Sequence, residues 1–324
     1  MSYSVFYLNP GATAEVLAII REELPSGWKL IPAEGTNHTC QLAECDFILI
    51  PDQPVGKEHF ASAPKLKMIQ HQGVGYERID LSACREYRIP LCLTPEGTSI
   101  GVAEHTILLI LALYKQLVKA SVATRAGKWM QWELRGNSYE LSGKTLGLIG
   151  FGRIGREVAR RALAFDARVI YFDPLVSEAS ATISRMQNLE ELLSAADIVS
   201  LHVPMTSDNR NFVNAALLAQ FKPGSVLINT ARGGLVDERA LAASIESGHL
   251  AGAALDVLQR EPPDSANPLL QMENVLVTPH ISAGTRDALK AKMRAAFANM
   301  QRRVRGEPLV HLVPELADLF EGTP

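Results

Sequence analysis

Four side chains that could take part in acid–base chemistry or hold charge follow the last apolar runs of the sequence. Arg232 comes after SVLINT, Asp256 ends AGAALD, Glu261 lies shortly beyond it, and His280 follows NVLVTP. Because ligands of parallel α/β sheets bind beyond the carboxyl ends of the strands, we expect these side chains to converge on one site. Each alone also has an ordinary explanation, such as an ion pair, a loop contact or a core position.

Together, these residue types suit the transfer of a hydride to a carbonyl carbon. Such a transfer places negative charge on the carbonyl oxygen, so the site needs a proton donor and a fixed positive charge. His280 would supply the proton, and the planar guanidinium of Arg232 would hold a substrate carboxylate and polarise the carbonyl. A carboxylate beside His280 would raise the pKa of its imidazole, and Glu261 is the candidate.

A cofactor for this chemistry is indicated by the stretch from Lys144 to Asp173, KTLGLIGFGRIGREVARRALAFDARVIYFD. It reads as a strand, a glycine turn, a helix and a second strand that ends in an acid, which is the order of a dinucleotide-binding βαβ unit. Gly150 would permit the tight turn, Gly152 would leave room for the pyrophosphate, and Gly155 would let the helix approach the strand. The pyrophosphate would lie on the amides of the helix N-terminus, and Asp173 would bind the adenosine ribose. The alternative is a glycine turn that binds nothing.

The residues after Asp173 bear on which dinucleotide is bound. Pro174 and Leu175 follow it, and no arginine stands there to receive a 2′-phosphate. Since a carboxylate would repel that phosphate, we predict NAD rather than NADP.

Composition excludes several classes of protein. The 324 residues are 47% apolar and 21% charged with a formal net charge of −3, so a nucleic-acid partner held by bulk charge is not expected. The longest apolar run, Ile107 to Leu113, is too short to span a bilayer, and the first residues read as a strand rather than a signal peptide. The four cysteines show neither CxxC pairing nor zinc spacing. We therefore expect a cytoplasmic protein with buried reduced thiols, no metal site and no membrane partner.

Apolar runs alternate with helical patterns along most of the chain, which predicts α/β architecture with parallel sheets and right-handed crossovers. The chain is long enough for two domains. We expect two doubly wound parallel-sheet domains, with a Rossmann NAD-binding domain of residues 97–284 inserted into a flavodoxin-like substrate domain of residues 1–96 and 285–324. A long helix from Thr285 to Val304 would return the chain to the substrate domain, and the reaction would take place in the cleft between the domains.

The stretch from Ser99 to about Leu117, SIGVAEHTILLILALYKQL, reads as a helix that is apolar on nearly every face in its second half. Such a helix must be covered all round, so it would lie between domains or between subunits. Its polar residues Glu104 and His105 are interpreted as structural groups rather than catalytic ones. Trp129 and Trp132 further along would be interface anchors, although one could close a neighbouring site.

Motifs over nearly the whole chain resemble those of the D-isomer-specific 2-hydroxyacid dehydrogenase family, which includes phosphoglycerate and glycerate dehydrogenases and glyoxylate or hydroxypyruvate reductases. They are HQGVGYERIDLSAC, VAEHTILLILAL, LSGKTLGLIGFGRIGREVARR, NTARGGLVDERAL, AGAALDV with the following Glu261 and Pro262, and VTPHISAGT. The resemblance implies an enzyme that exchanges hydride between NAD and a small 2-keto or 2-hydroxy acid, and a homodimer built on the nucleotide domains. It also implies that Arg232, Glu261 and His280 are the catalytic set.

The resemblance further implies binding residues. Val74 and Gly75 would lie beside the substrate carboxylate, together with Arg232 and His280; from the residues alone, the Gly73–Tyr76 loop fits either a carboxylate site or a plain turn. The residues implied to contact NAD are Val74, Gly150, Gly152, Arg153, Ile154, Gly155, Asp173, His202, Val203, Pro204, Thr230, Ala231, Arg232, Asp256, His280, Ser282, Ala283 and Gly284.

Departures from the family pattern concern the substrate. Members that act on phosphoglycerate tend to carry arginines where this chain has Pro51 and His71, so D-3-phosphoglycerate dehydrogenase is kept as the alternative rather than the first choice. Glu261 argues against the formate dehydrogenase relatives, which place Gln beside the histidine. A NAD-sensing corepressor without turnover is the non-enzymatic alternative, because such proteins can retain the same residues.

Overall fold

The structure is a computed structural model that describes residues 2–35, 37–177 and 182–320. It divides into two compact units, of which one comprises Met1–Thr98 with Thr285–Pro324 and the other comprises Ser99–Gly284. Each unit contains one parallel β-sheet with helices packed against it.

Before the chain enters the second unit, the elements of the first unit are β1 (Ser4–Tyr7), α1 (Ala14–Glu23), β2 (Lys29–Pro32), α2 (Thr39–Glu44), β3 (Phe47–Ile50), α3 (Lys57–Ala61), β4 (Met68–His71), α4 (Leu81–Glu86) and β5 (Leu91–Cys92). The strands lie in the order β2-β1-β3-β4-β5, which is the flavodoxin-like order. All four side chains of β3 are fully buried, because helices cover both faces of a parallel sheet.

The elements of the second unit are α5 (Thr98–Tyr114), α6 (Leu117–Arg125), β6 (Thr145–Ile149), α7 (Arg153–Leu163), β7 (Arg168–Phe172), β8 (Ile183–Arg185), α8 (Leu189–Ala195), β9 (Ile198–Leu201), α9 (Ala215–Leu218), β10 (Val226–Asn229), α10 (Glu238–Glu246), β11 (Gly252–Leu255) and β12 (Val275–Val277). The strands are parallel in the order β12-β11-β10-β9-β6-β7-β8, so the sheet is doubly wound about β6 and β9 as in a Rossmann fold. The predicted α/β class with two doubly wound parallel sheets is confirmed.

The chain then returns to the first unit through α11 (Arg286–Arg305), which is followed by α12 (Ala317–Phe320). The hydroxyl of Thr285 accepts the N–H of Ala288 and caps the start of α11. Met293 and Phe297 are buried against the sheet together with Ile20 of α1. Hydrophobic burial therefore ties the returning helix to the sheet formed by the first residues of the chain.

The helix predicted from Ser99 to about Leu117 corresponds to α5, which ends at Tyr114. Gln116 follows it with a left-handed φ of 48°, and α5 and α6 meet at a bend of 61°. Within one chain Ile107, Leu109 and Ile110 are buried but Leu108 is 52% exposed, so the predicted cover of this helix is incomplete without a second subunit. Among the described residues, no single helix is long and apolar enough to cross a bilayer; the bent pair taken together meets that test by length and composition alone.

The four cysteines are free thiols. Cys45, Cys84 and Cys92 are buried as expected, and burial raises the pKa of each thiol to about 12. Cys40 departs from the expectation because it is exposed on α2.

Candidate active site

The glycine turn joins β6 to α7 in the second unit. Gly150 has a φ of 96°, and a Cβ there would lie 2.5 Å from the carbonyl oxygen of His202. A Cβ on Gly155 would lie 2.5 Å from the carbonyl oxygen of Gly150, so both positions exclude a side chain. A Cβ on Gly152 would meet nothing within 4 Å. The turn is therefore tightly packed on its inner side and open on the side of the α7 N-terminus.

Asp173, at the end of β7, lies beside this turn. Its Oδ2 accepts the N–H of Phe151 at 2.8 Å, and its Oδ1 accepts the N–H of Leu175 at 2.8 Å. Each carboxylate oxygen keeps a lone pair for a further donor. An open space at Gly152, a helix N-terminus and a fixed carboxylate fit the pyrophosphate and ribose of a dinucleotide.

Arg185 is a neighbour of Asp173 that the sequence does not reveal. It lies on β8, next to β7, and its guanidinium donates to the backbone carbonyl of Asp173 at 3.3 Å. The three-residue strand ISR has no apolar run that would reveal it. The absence of an arginine directly after Asp173 therefore does not mean that no arginine lies nearby.

Arg232 is held in the turn after β10 by the buried side chain of Asn229. That amide accepts the N–H of Ala231 at 3.0 Å and donates to the carbonyl of Arg232 at 2.9 Å. A Cβ on Gly233 would lie 2.0 Å from the backbone of Leu258. The turn that carries Arg232 therefore packs directly against the segment that leads to Glu261.

His280 and Glu261 are in direct contact. His280 Nδ1 lies 2.7 Å from Glu261 Oε2, while Glu261 Oε1 accepts the N–H of Leu258 at 2.9 Å. The hydrogen bond to Glu261 raises the pKa of His280, although burial and the positive charge of Arg232 oppose it. Burial raises the pKa of Glu261, but its hydrogen bonds with His280 and Leu258 lower it overall. With Nδ1 on Glu261, the Nε2 atom of His280 is left for other partners.

Asp256 organises the loop after β12 that contains His280. Its buried carboxylate accepts the hydroxyl of Thr278 at 2.5 Å, the N–H of Ile281 at 3.0 Å and the N–H of Ser282 at 2.9 Å. Burial alone would raise the pKa of Asp256, but hydrogen bonds to its charged form lower the pKa to about 2. His280 itself has a left-handed φ of 52°. A buried anion thus bonds to the side chain of Thr278 before this strained histidine and to the backbone of Ile281 and Ser282 after it.

Glu104 and His105 of α5 both have partners. Glu104 pairs with Arg161 at 3.3 Å. His105 Nε2 lies 3.0 Å from Thr278 Oγ1 and 3.5 Å from Asp256 Oδ1. Helix α5 therefore contacts the loop that carries His280.

The structure brings Arg232, Asp256, Glu261 and His280 together in the unit that contains the glycine turn. The other predicted cofactor residues of this unit lie at the carboxyl ends of strands or in the first turn of α7: His202, Val203 and Pro204 after β9, Thr230 and Ala231 after β10, Ser282, Ala283 and Gly284 after β12, and Arg153 and Ile154 in α7. Val74 and Gly75 belong to the other unit, in the loop after β4, where Val74 is 40% exposed and Gly73 donates its N–H to His71 Nδ1 at 2.9 Å.

Comparison with known proteins adds three similarities. A family model described as D-isomer specific 2-hydroxyacid dehydrogenase, NAD binding domain, matches residues 107–282, over half of the chain. The hydroxypyruvate reductase of Thermotoga maritima is 42% identical over 225 residues, which are 69% of this chain and 72% of the relative. The solved structure of D-2-hydroxyisocaproate dehydrogenase has a TM-score of 0.85 at 25% identity, and the superposition covers 97% of this chain and 99% of that one.

A longer relative matches over part of its length. The D-3-phosphoglycerate dehydrogenase of Archaeoglobus fulgidus is 40% identical over 236 residues, which are 72% of this chain and 44% of that protein. This chain therefore matches less than half of the length of that enzyme.

Proposed function

Because the chain belongs to the D-isomer-specific 2-hydroxyacid dehydrogenase family, we propose that it is an NAD-dependent oxidoreductase that exchanges a hydride between NAD(H) and a small 2-keto or 2-hydroxy acid. The observation that carries the proposal is the 2.7 Å hydrogen bond between His280 Nδ1 and Glu261 Oε2, in the unit that contains the glycine turn. A histidine held in this way can exchange a proton at Nε2 while a neighbouring anion stabilises its charged form.

The roles of the catalytic residues follow from their charges. When bound, the nicotinamide supplies or accepts the hydride. In the direction of reduction, His280 donates the Nε2 proton to the carbonyl oxygen, and Glu261 stabilises the imidazolium beforehand. Arg232 binds the substrate carboxylate and counters the negative charge that develops on the oxygen. In the direction of oxidation, neutral His280 takes the proton from the hydroxyl group.

The cofactor is proposed to lie along the glycine turn, with its pyrophosphate on the amides at the start of α7. Gly152 leaves the space for it, and Asp173 accepts hydroxyl groups of the adenosine ribose. The negative charge of Asp173 favours NAD over NADP. Arg185 contacts the backbone of Asp173. Its positive charge would favour a 2′-phosphate once the side-chain carboxylate of Asp173 is removed.

Residues 1–96 and 285–324 are proposed to bind the substrate. In the loop after β4, the backbone N–H groups of Val74 and Gly75 would hold the substrate carboxylate. The N–H of the preceding Gly73 is already bonded to His71, which orients the loop. Residues 97–284 would bind the cofactor.

We also propose a homodimer and a cytoplasmic location. Leu117, Val118, Val122, Trp129 and Trp132 are each at least 52% exposed, and a second copy of the chain would cover them. The three buried thiols are compatible with a reducing compartment.

D-3-phosphoglycerate dehydrogenase is the second candidate because of the 40% identity to the enzyme of that name. The residues in this chain speak for a substrate without a phosphate. Pro51 follows β3, and the buried His71 ends β4, so neither position offers an arginine to a phosphate group.

The test is a screen of NADH oxidation with glyoxylate, hydroxypyruvate, pyruvate, longer 2-keto acids and phosphohydroxypyruvate. We expect turnover with at least one unphosphorylated acid, and loss of it in His280→Ala. Turnover with phosphohydroxypyruvate alone would select the second candidate. Tight NADH binding without turnover of any acid would contradict both and favour a NAD-sensing binding protein.

A further inference from the structure

Helix α5 contacts the loop after β12 at two points one helical turn apart. A Cβ on Gly101 would lie 3.0 Å from the carbonyl oxygen of Ser282, so the helix backbone comes close to the loop. One turn further, His105 Nε2 lies 3.0 Å from Thr278 Oγ1. The loop is therefore attached to the helix on both sides of His280.

The hydrogen bonds around Thr278 fix the direction of each proton. Its hydroxyl donates to Asp256 Oδ1, so towards His105 the same oxygen can only accept. His105 must therefore carry a proton on Nε2. The resulting chain runs from His105 through Thr278 to Asp256, whose two oxygens accept the N–H groups of Ile281 and Ser282.

We infer that His105 is a positioning residue that holds His280 in place through Thr278 and Asp256. Non-glycine residues in the left-handed region persist only where their surroundings impose that conformation, and His280 has a φ of 52°. The loop that imposes it depends on Asp256, and His105 orients the hydroxyl that Asp256 binds. The role in catalysis rests on the proposed function, whereas the attachment of the loop does not.

A pure packing role for His105 makes different predictions. Helix α5 is largely apolar and the side chain of His105 is 14% exposed, so an apolar residue of similar size would then serve as well as histidine. A positioning role instead requires an N–H donor at the position of Nε2. Leucine lacks that donor, while the amide of glutamine can place an N–H close to it.

The kinetic test compares His105→Leu with His105→Gln. Since small displacements of catalytic groups can cost about 10²-fold, we expect His105→Leu to lower kcat by about 10- to 100-fold, with the Kd for NADH changed by less than about threefold. His105→Gln should recover most of the loss. A kcat for His105→Leu within about twofold of the wild type would overturn the inference, and so would equal losses in the two variants.

A second measurement needs no turnover. Hydrogen–deuterium exchange of a peptide covering residues 278–284 should speed up in His105→Leu and in Thr278→Val, but not in His105→Gln, while a peptide from β6 stays unchanged. If the wild type reduces no 2-keto acid, the proposed function fails and this measurement still tests the attachment. If exchange of this peptide is unchanged in both His105→Leu and Thr278→Val, the inference is overturned even if the enzyme is active.

Discussion

The Nδ1 atom of His280 donates a hydrogen bond to Oε2 of Glu261 at a distance of 2.7 Å. This hydrogen bond raises the pKa of His280 above the usual value of about 6.5. The proton that titrates is therefore the one on Nε2, and the imidazolium persists to a higher pH than in a free histidine. Both directions of the proposed reaction depend on that proton.

The pair predicts opposite pH profiles for the two directions. Reduction needs the imidazolium, so its kcat/KM should fall as pH rises through the raised pKa of His280, while oxidation should increase over the same range. Glu261→Gln removes the negative charge that favours the imidazolium, so both transitions should move to lower pH. The measurement is kcat/KM against pH for both proteins, and coincident profiles would show that Glu261 does not set this pKa.

His280→Ala removes the proposed proton donor. We expect kcat to fall by about 10²- to 10⁴-fold, which is the usual contribution of a general acid. The Kd for NADH should stay within about threefold, because the glycine turn and Asp173 are untouched. Stopped-flow turnover and fluorescence titration of NADH separate the two quantities. His59→Ala, on α3 of the other unit, is the control, and a His280→Ala enzyme as active as this control would remove the assignment.

Two glycines of the same turn should respond differently to alanine. Gly152→Ala places a methyl group in open space, so the free energy of unfolding should be unchanged while NADH binding weakens by about tenfold or more. Gly155→Ala places its Cβ 2.5 Å from the carbonyl oxygen of Gly150 and should destabilise the fold by about 1–3 kcal/mol. Denaturant unfolding without cofactor, followed by NADH titration, distinguishes them. Similar unfolding energies for both variants would contradict the packing described for this turn.

The parts of the fold that the sequence predicts are those with strong periodicity. The buried strand β3 is an unbroken apolar run, β9 is apolar except for Ser200, and the glycine turn identifies β6 and α7. The edge strands β2 and β8 do not appear in the prediction, since KLIP and ISR carry too few apolar residues. Helix α6, which begins at Leu117 after the left-handed Gln116, is also absent from the prediction.

In the candidate site, too, some residues can be predicted from the sequence and others cannot. Arg232, Glu261 and His280 are predictable because each follows an apolar run and carries a distinctive functional group. The residues that hold them are not, because their contacts come from far along the chain. Asn229 looks like the polar end of a strand, and nothing near His105 in the sequence indicates that it meets Thr278, 173 residues away.

Asp173→Ala tests the choice of dinucleotide. Loss of the carboxylate removes the proposed acceptor for the ribose of NADH and also the repulsion against the 2′-phosphate of NADPH, while Arg185, which contacts the backbone of residue 173, remains. We therefore expect the Kd for NADH to rise by about tenfold and the Kd for NADPH to change less or to fall. Titration of both cofactors checks this, and equal losses would exclude a ribose contact for Asp173.

The exposed side of α6 predicts self-association. Val118 and Val122 are 53% and 63% exposed and also line a cavity of about 660 Å³, whose other walls include Met272 and the amino ends of β9 to β12. Because an apolar surface of this kind is costly to leave in water, the wild type should sediment as a dimer at micromolar concentration. Val122→Glu places a charge on the surface and should shift the protein towards monomers, whereas Val310→Glu, at a 41% exposed valine of the other unit, should not. A wild type that is already monomeric at this concentration, or a Val122→Glu variant that stays fully dimeric, would show that α6 is not the interface.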